Sequence, residues 1–496
     1  MTISRRAVMA SAAAAGALSL AACNQSTPTT TADALGDDDA TGIAQRIARG
    51  EITAAQALEA AIARAEAVNP QLNFMATPAY DYGRARAAQQ LAGPFAGVPT
   101  LIKDLMNVTG LPTKYGSRAF AQNVADAQPA FMDNLLAAGL VPFGKSATPE
   151  FGLTATTEPL LGGPTKNPWN VERSCGGSSG GAAVAVASRV VPIAHASDGG
   201  GSIRIPASCN GLLGLKPSRG RTVNAGAPER GISLSVNGCV SRSVRDTAAW
   251  LAVVEASGEG AAFAPVGVVT GPNTQRLRIT LATKAADGGD PDADVLAATQ
   301  AAAELCRRLG HTVTEGAMPV SGPDFSNAFT LLWAESAAEV VDLVRAQAGP
   351  AAPLDQLLEP LTLQLAELYH RASRTDLQRA LTLLTAVEAQ YEAFFANTDI
   401  LLTPVLSSTP PRLGEIAPTS GMEGFAKVAR YVGYTPLQNV AGAPAMSVPL
   451  GMSADGLPIG AHFAAAKGQE KRLLELAYEL ESAQPWASRK PGVNAG

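Results

Sequence analysis

Short apolar runs alternate along the chain with longer stretches in which apolar residues return every three or four positions, a pattern of strands interleaved with helices. Residues 41–62 read helix, turn, helix: Gly50-Glu51-Ile52-Thr53 stops the first and caps the second, where Leu58 and Ile62 recur four apart. Residues 98–102 and 140–143 are apolar runs of strand length, the second following a helical pattern over 130–138. Residues 182–188 predict a helix and the remainder of 182–194 a strand. Further on, 241–257 is an amphipathic helix, 277–282 a strand, and 295–309 a helix stopped by Gly310 and followed by a strand-like run from His311. Residues 399–405 and 445–450 return as strands. Such alternation predicts an α/β layering around a mostly buried sheet. Helical periodicity dominates 325–395, which is expected either to cover a cleft and shape substrate choice or to pack away from it.

Composition narrows the class. With 46% hydrophobic against 16% charged residues in a chain of 496, the core is ample, and a net charge of −5 without a basic face excludes a nucleic-acid partner. The ends differ from the middle. Arg5 and Arg6 precede an apolar, alanine-rich run to Ala22, the layout of a secretory signal too short for a membrane span. Leu20-Ala21-Ala22-Cys23 resembles a bacterial lipoprotein cleavage box, and Ser4-Arg5-Arg6 a twin-arginine export signal. The expected organisation is therefore a signal over 1–23, a flexible polar tether over 24–40 and one catalytic domain over 41–496, with Cys23 lipidated and the protein held at a membrane of the periplasm or cell envelope. The competing expectation is an ordinary cleaved signal. Cys175, Cys209, Cys239 and Cys306 form no C-x-x-C pair, so they are expected to be buried small apolar residues; no metal and no cofactor is implied.

The candidate chemistry lies in CGGSSGGAAVAVASRVVPIAHASDGGGSIRIP, residues 175–206. Two serines, Ser178 and Ser202, sit in glycine clusters on either side of an apolar run, where the main chain can approach a ligand closely. A serine hydroxyl needs a base. Lys103, at the end of the 98–102 strand, is one candidate, although drawing a lysine from about 10.4 to about 7 costs about 4 to 5 kcal/mol of lost solvation. The plain alternative is a lysine at the edge of a strand, paired with Asp104 or another carboxylate. Of the four histidines, His195 reads as a core residue, and His311 and His370 as surface or packing residues.

GGSSGG at 176–181, DGGGSIR at 198–204 and IKD at 102–104 together resemble the amidase signature family, with GKSATPEFG, NPW and NVAGAPAMSVPL as further elements. The wording DGGGSIRIPAS is, more weakly, similar to the branch holding 6-aminohexanoate cyclic dimer hydrolases and arylamidases. The resemblance implies the amidase signature fold, a large mixed β-sheet surrounded by helices, and hydrolysis of C–N bonds in a small-molecule amide. It also implies a Ser-Ser-Lys triad: Ser202 as nucleophile, Ser178 on a cis peptide bond as proton relay, Lys103 as base. The amides of Gly199, Gly200, Gly201 and Ser202 are the expected oxyanion donors. His462 stands where the family more often has glutamine and is kept as a candidate substrate contact.

Three other readings stay open at this stage. Gly176 to Gly180 also fits the G-x-S-x-G nucleophile elbow, but polar, proline-broken NPWNVERSC precedes it where that elbow needs a buried strand. A solute-binding lipoprotein would suit the leader, and the signature-bearing subunit of a glutaminyl-tRNA amidotransferase would share the motifs. Linear amide, lactam, anilide and carbamate substrates, and the oligomeric state, are left undecided.

Overall fold

The computed structural model describes residues 33–223, 232–349 and 351–496. The signal, Cys23 and most of the expected tether lie outside the described residues. The last part of that tether belongs to the fold, contrary to expectation. Leu35 is buried, and the acidic residues around it are held by arginines: Asp33 pairs with Arg64, Asp37 with Arg189 and Asp39 with Arg245. Asp39 then caps the helix Ala40–Ala48 by accepting the Gly42 amide at 2.9 Å.

Among the described residues, eleven strands form two sheets. The small one has the order β1-β3-β2, from β1 (Met75–Pro78), β2 (Pro99–Lys103) and β3 (Val141–Ser146). The large one is mixed and eight-stranded, ordered β4-β6-β5-β10-β11-β9-β7-β8. Its strands are β4 (Ile193–Asp198), β5 (Leu213–Lys216), β6 (Val236–Ser241), β7 (Arg278–Leu281), β8 (Thr312–Glu315), β9 (Ile400–Pro404), β10 (Ala445–Met452) and β11 (Pro458–Ala464). Helices flank it, so the α/β expectation holds. The strands anticipated at 98–102, 140–143, 277–282, 399–405 and 445–450 are β2, β3, β7, β9 and β10, each within a few residues of its expected ends.

Side chains stitch the two sheets where the chemistry sits. Thr100 on β2 donates its hydroxyl to the Ile193 carbonyl of β4 at 2.9 Å, and the Lys103 amide donates to His195 Nδ1 at 3.2 Å. His195 then donates its Nε2 proton to Asn237 Oδ1 on β6, at 3.2 Å. Burial draws this histidine down to about 3, so it stays neutral and serves as a spacer between β2 and β4, the core role expected of it. The all-apolar helix Gly180–Ala187 is buried along its whole length between the two serine loops, which explains why its residues show no amphipathic period.

Candidate active site

Lys103 ends β2 with its side chain fully buried. Its Nζ lies 2.7 Å from Ser178 Oγ, 3.0 Å from Ser197 Oγ and 3.3 Å from the Ser197 carbonyl. No carboxylate pairs with it among the described residues. Asp104, the expected alternative partner, turns instead to Lys145, at 3.2 Å. Burial pulls the Lys103 amine down to about 7, with the Asp198 charge acting in the opposite direction.

Ser178 follows a cis peptide bond from Gly177. A Cβ on Gly152, at φ +72°, would lie 3.0 Å from the Ser178 hydroxyl, so glycine there keeps clear the space beside the relay candidate. Ser179 fixes the other side: its hydroxyl donates to the Ser197 carbonyl at 3.1 Å, and its amide donates to the Ser202 carbonyl at 3.3 Å. The two serine loops therefore run edge to edge, and the strand-borne lysine meets the first of them.

The second loop is set by Asp198, a residue that reading for nucleophiles and bases passed over. This carboxylate accepts the Gly201 amide at 2.7 Å, the Ile203 amide at 3.1 Å, a bidentate pair of bonds from Arg204 at 2.9 Å each, and Asn439 Nδ2 at 2.9 Å. Burial pushes the Asp198 carboxyl up, but Arg204 and Lys216 more than offset this and hold it below the usual carboxylate range. The Gly201 amide is thus spent on Asp198, which removes it from the expected oxyanion donors. No protein acceptor takes the amides of Gly199, Gly200 and Ser202 among the described residues. The Gly200 carbonyl is pinned by the Thr435 hydroxyl at 2.7 Å.

His462 lies behind this network. It is buried on β11 between Arg204 and Thr403, at 3.1 and 2.9 Å, so it is a support for the Arg204 guanidinium and is not among the residues lining the cavity at Ser202. The signal that would have found Asp198 and Arg204 is a charged pair six residues apart inside an otherwise apolar and glycine-rich stretch, since buried charges must pair. The four described cysteines are free and buried, as expected.

Ser202 opens onto a cavity of ≈ 220 Å³, whereas Lys103 and Ser178 lie behind it and do not line that space. The cavity is walled by Phe325, Phe329 and Trp333 of the helix Pro323–Ala348, by Phe425 and Val428 of the helix Gly421–Tyr431, and by Ile205. The 325–395 region thus reaches the site through its first helix.

The amidase family pattern matches residues 56–474. The chain belongs to that family. A putative amidase, AmiC, of Mycobacterium leprae is 43% identical over 459 residues, covering 92% of this chain and 97% of the relative. The 6-aminohexanoate-cyclic-dimer hydrolase of a Pseudomonas species is 35% identical over 477 residues, covering 91% of this chain and 96% of that one. A solved 6-aminohexanoate cyclic dimer hydrolase complexed with substrate superposes with a TM-score of 0.84 at 33% identity, over 92% of this chain and 99% of its own. This amidase is accordingly an amide hydrolase with the amidase signature fold, and a solute-binding protein is not favoured.

The Asp198 network generates a stability prediction. Asp198→Ala leaves the fully buried Arg204 charge and two loop amides without their acceptor, and should cost about 3–5 kcal/mol in urea unfolding. A loss below about 1 kcal/mol would show that the network does not hold the loop.

Proposed function

We propose that this amidase acts through an acyl-enzyme on Ser202, with Lys103 as base and Ser178 as relay. The observation that supports it best is the 2.7 Å contact between Lys103 Nζ and Ser178 Oγ, made by a buried amine that forms no ion pair among the described residues. A neutral amine has two N–H groups and one lone pair. The Ser197 carbonyl can only accept, so it takes one N–H, and the Ser197 hydroxyl is placed to take the other. The lone pair then faces the Ser178 proton.

In the forward step Ser202 Oγ attacks the amide carbonyl. Its proton passes to Ser178 Oγ while the Ser178 proton passes to Lys103 Nζ. Negative charge gathers on the carbonyl oxygen beside the unspent amides of Gly199, Gly200 and Ser202, each worth about 3 to 4 kcal/mol if aimed at it. The same chain runs in reverse to protonate the departing amine, and water then repeats the attack on the ester. A relative named for hydrolysis of a cyclic dimer supports a linear or cyclic amide as substrate, with anilides and carbamates as chemically equivalent targets.

Ser202→Ala should abolish labelling by a fluorophosphonate probe, and Lys103→Ala should slow acylation by about 10²–10⁴-fold in a chain that still folds. An alanine variant at 103 that acylates at the native rate would refute its role as base. Because Lys103 acts when neutral and titrates near 7, kcat/KM should be level above that pH and fall about tenfold per unit below it. A profile flat from pH 5 to 9 with acylation limiting would contradict this.

For location, we propose the lipid-anchored, exported form expected from Cys23. Cys23→Ser should move the protein from the membrane to the soluble fraction of the cell envelope, and unchanged fractionation would rule the anchor out.

A further inference from the structure

The cavity over Ser202 has a wall whose geometry the hydrolytic mechanism does not require. Phe325, Phe329 and Trp333 follow one another at intervals of four along the helix Pro323–Ala348, so they share one face. Their rings are nearly parallel: Phe325 to Phe329 at 6.5 Å and 24° between planes, Phe329 to Trp333 at 5.6 Å and 24°. Trp333 is held in place by its indole N–H, which donates to the Leu153 carbonyl at 3.0 Å. The ladder lies directly on the glycine loop. A Cβ on Gly199 would come 3.2 Å from the Trp333 ring, and one on Gly200 would come 3.3 Å from the Phe329 ring. Glycine at these positions therefore lets an aromatic wall touch the backbone that bears the oxyanion amides.

The chemistry of the rest of the cavity agrees. Among the described residues lining it, the only charged side chains are Asp287 and Arg430, both exposed to solvent. Away from these two solvent-exposed residues the lining carries no charge, so a substrate charge held against the aromatic wall would lose its solvation without compensation. An apolar wall of fixed, near-parallel rings favours a planar ring that continues the stack over a puckered one of equal size.

We propose that the ladder Phe325-Phe329-Trp333 is a specificity wall that selects neutral amides bearing a flat, aromatic ring next to the scissile bond. This inference rests on the amidase reading of the same site and names its substrate class. Phe329 is the ring to test, since it reaches the glycine loop, and no side-chain hydrogen bond ties it to the rest of the fold.

The experiment compares kcat/KM for two pairs of amides matched in size, benzamide against cyclohexanecarboxamide and acetanilide against N-cyclohexylacetamide, so that either side of the amide can occupy the slot. In the native enzyme at least one pair should favour the flat ring by about threefold or more. Phe329→Leu, which keeps an apolar side chain and removes the flat face, should lower that ratio by about threefold, the intrinsic reactivity difference between the two amides being common to both enzymes. The same pairs titrated calorimetrically into Ser202→Ala and into Ser202→Ala/Phe329→Leu read the preference without chemistry. A flat-ring preference in binding that is lost with Phe329 would sustain the wall whether or not these amides are turned over, whereas hydrolysis of any of them by Ser202→Ala at the native rate would overturn the Ser202 mechanism alone. Binding ratios near one for both pairs in Ser202→Ala, or ratios that Phe329→Leu leaves unchanged, would overturn the wall.

Discussion

An amine buried without a carboxylate is the constraint on which this structure turns. Asp104 is the chain neighbour of Lys103 and Asp198 the carboxylate whose charge acts on it, and each is engaged elsewhere. Asp104 is taken by Lys145, whose Nζ is completed by the Met106 carbonyl and the Thr113 hydroxyl, each at 2.9 Å. Asp198 is taken by Arg204 in a bidentate pair with no exposure on either side. Lys103 is left with hydroxyls and one carbonyl, and the lost solvation of its charged form falls on its pKa. Burial lowers both buried lysines at this end of β2 and β3; at Lys145 the adjoining Asp104 carboxylate opposes it, and at Lys103 only the Asp198 charge does.

The same division of labour shapes the loop that carries Ser202. Asp198 gathers Gly201, Ile203, Arg204 and Asn439 around one carboxylate, so the turn carrying Ser202 is fixed from beneath by charge-assisted bonds. Thr435 fixes the loop from the side and the aromatic ladder covers it from above, so rigidity comes from three separate elements of the chain. A site built on such supports is set before substrate arrives, which is where electrostatic catalysis gains most of its advantage.

Much of this could be read in the residues, and the gaps have physical causes. Apolar runs gave β2, β3, β9 and β10, because strands buried on both faces are nearly continuous in hydrophobicity. β1, β5, β6 and β11 were not foreseen: MATP, LGLK, VNGCVS and PIGAHFA mix proline, glycine and polar residues, and only pairing with their neighbours makes them strands. The glycine clusters announced the serines, and IKD announced the lysine. The direction of Asp104 was not legible, since its choice between Lys103 and Lys145 depends on how β2 lies on β3. The acidic stretch before Ala40 read as a tether because its compensating arginines, Arg64, Arg189 and Arg245, are far away in sequence. The wall over Ser202 sat inside a long helical region with no motif, where only the packed structure reveals which face meets the loop.

The central claim is that the amine at 103 titrates near neutrality because it is buried and unpaired. The most direct measurement is an NMR titration of the protein with isotope-labelled lysine side chains, the Lys103 signal being assigned by its loss in Lys103→Met. A midpoint close to pH 7 is the expected result. A Lys103 signal that remains that of an ammonium ion through pH 9 would contradict it.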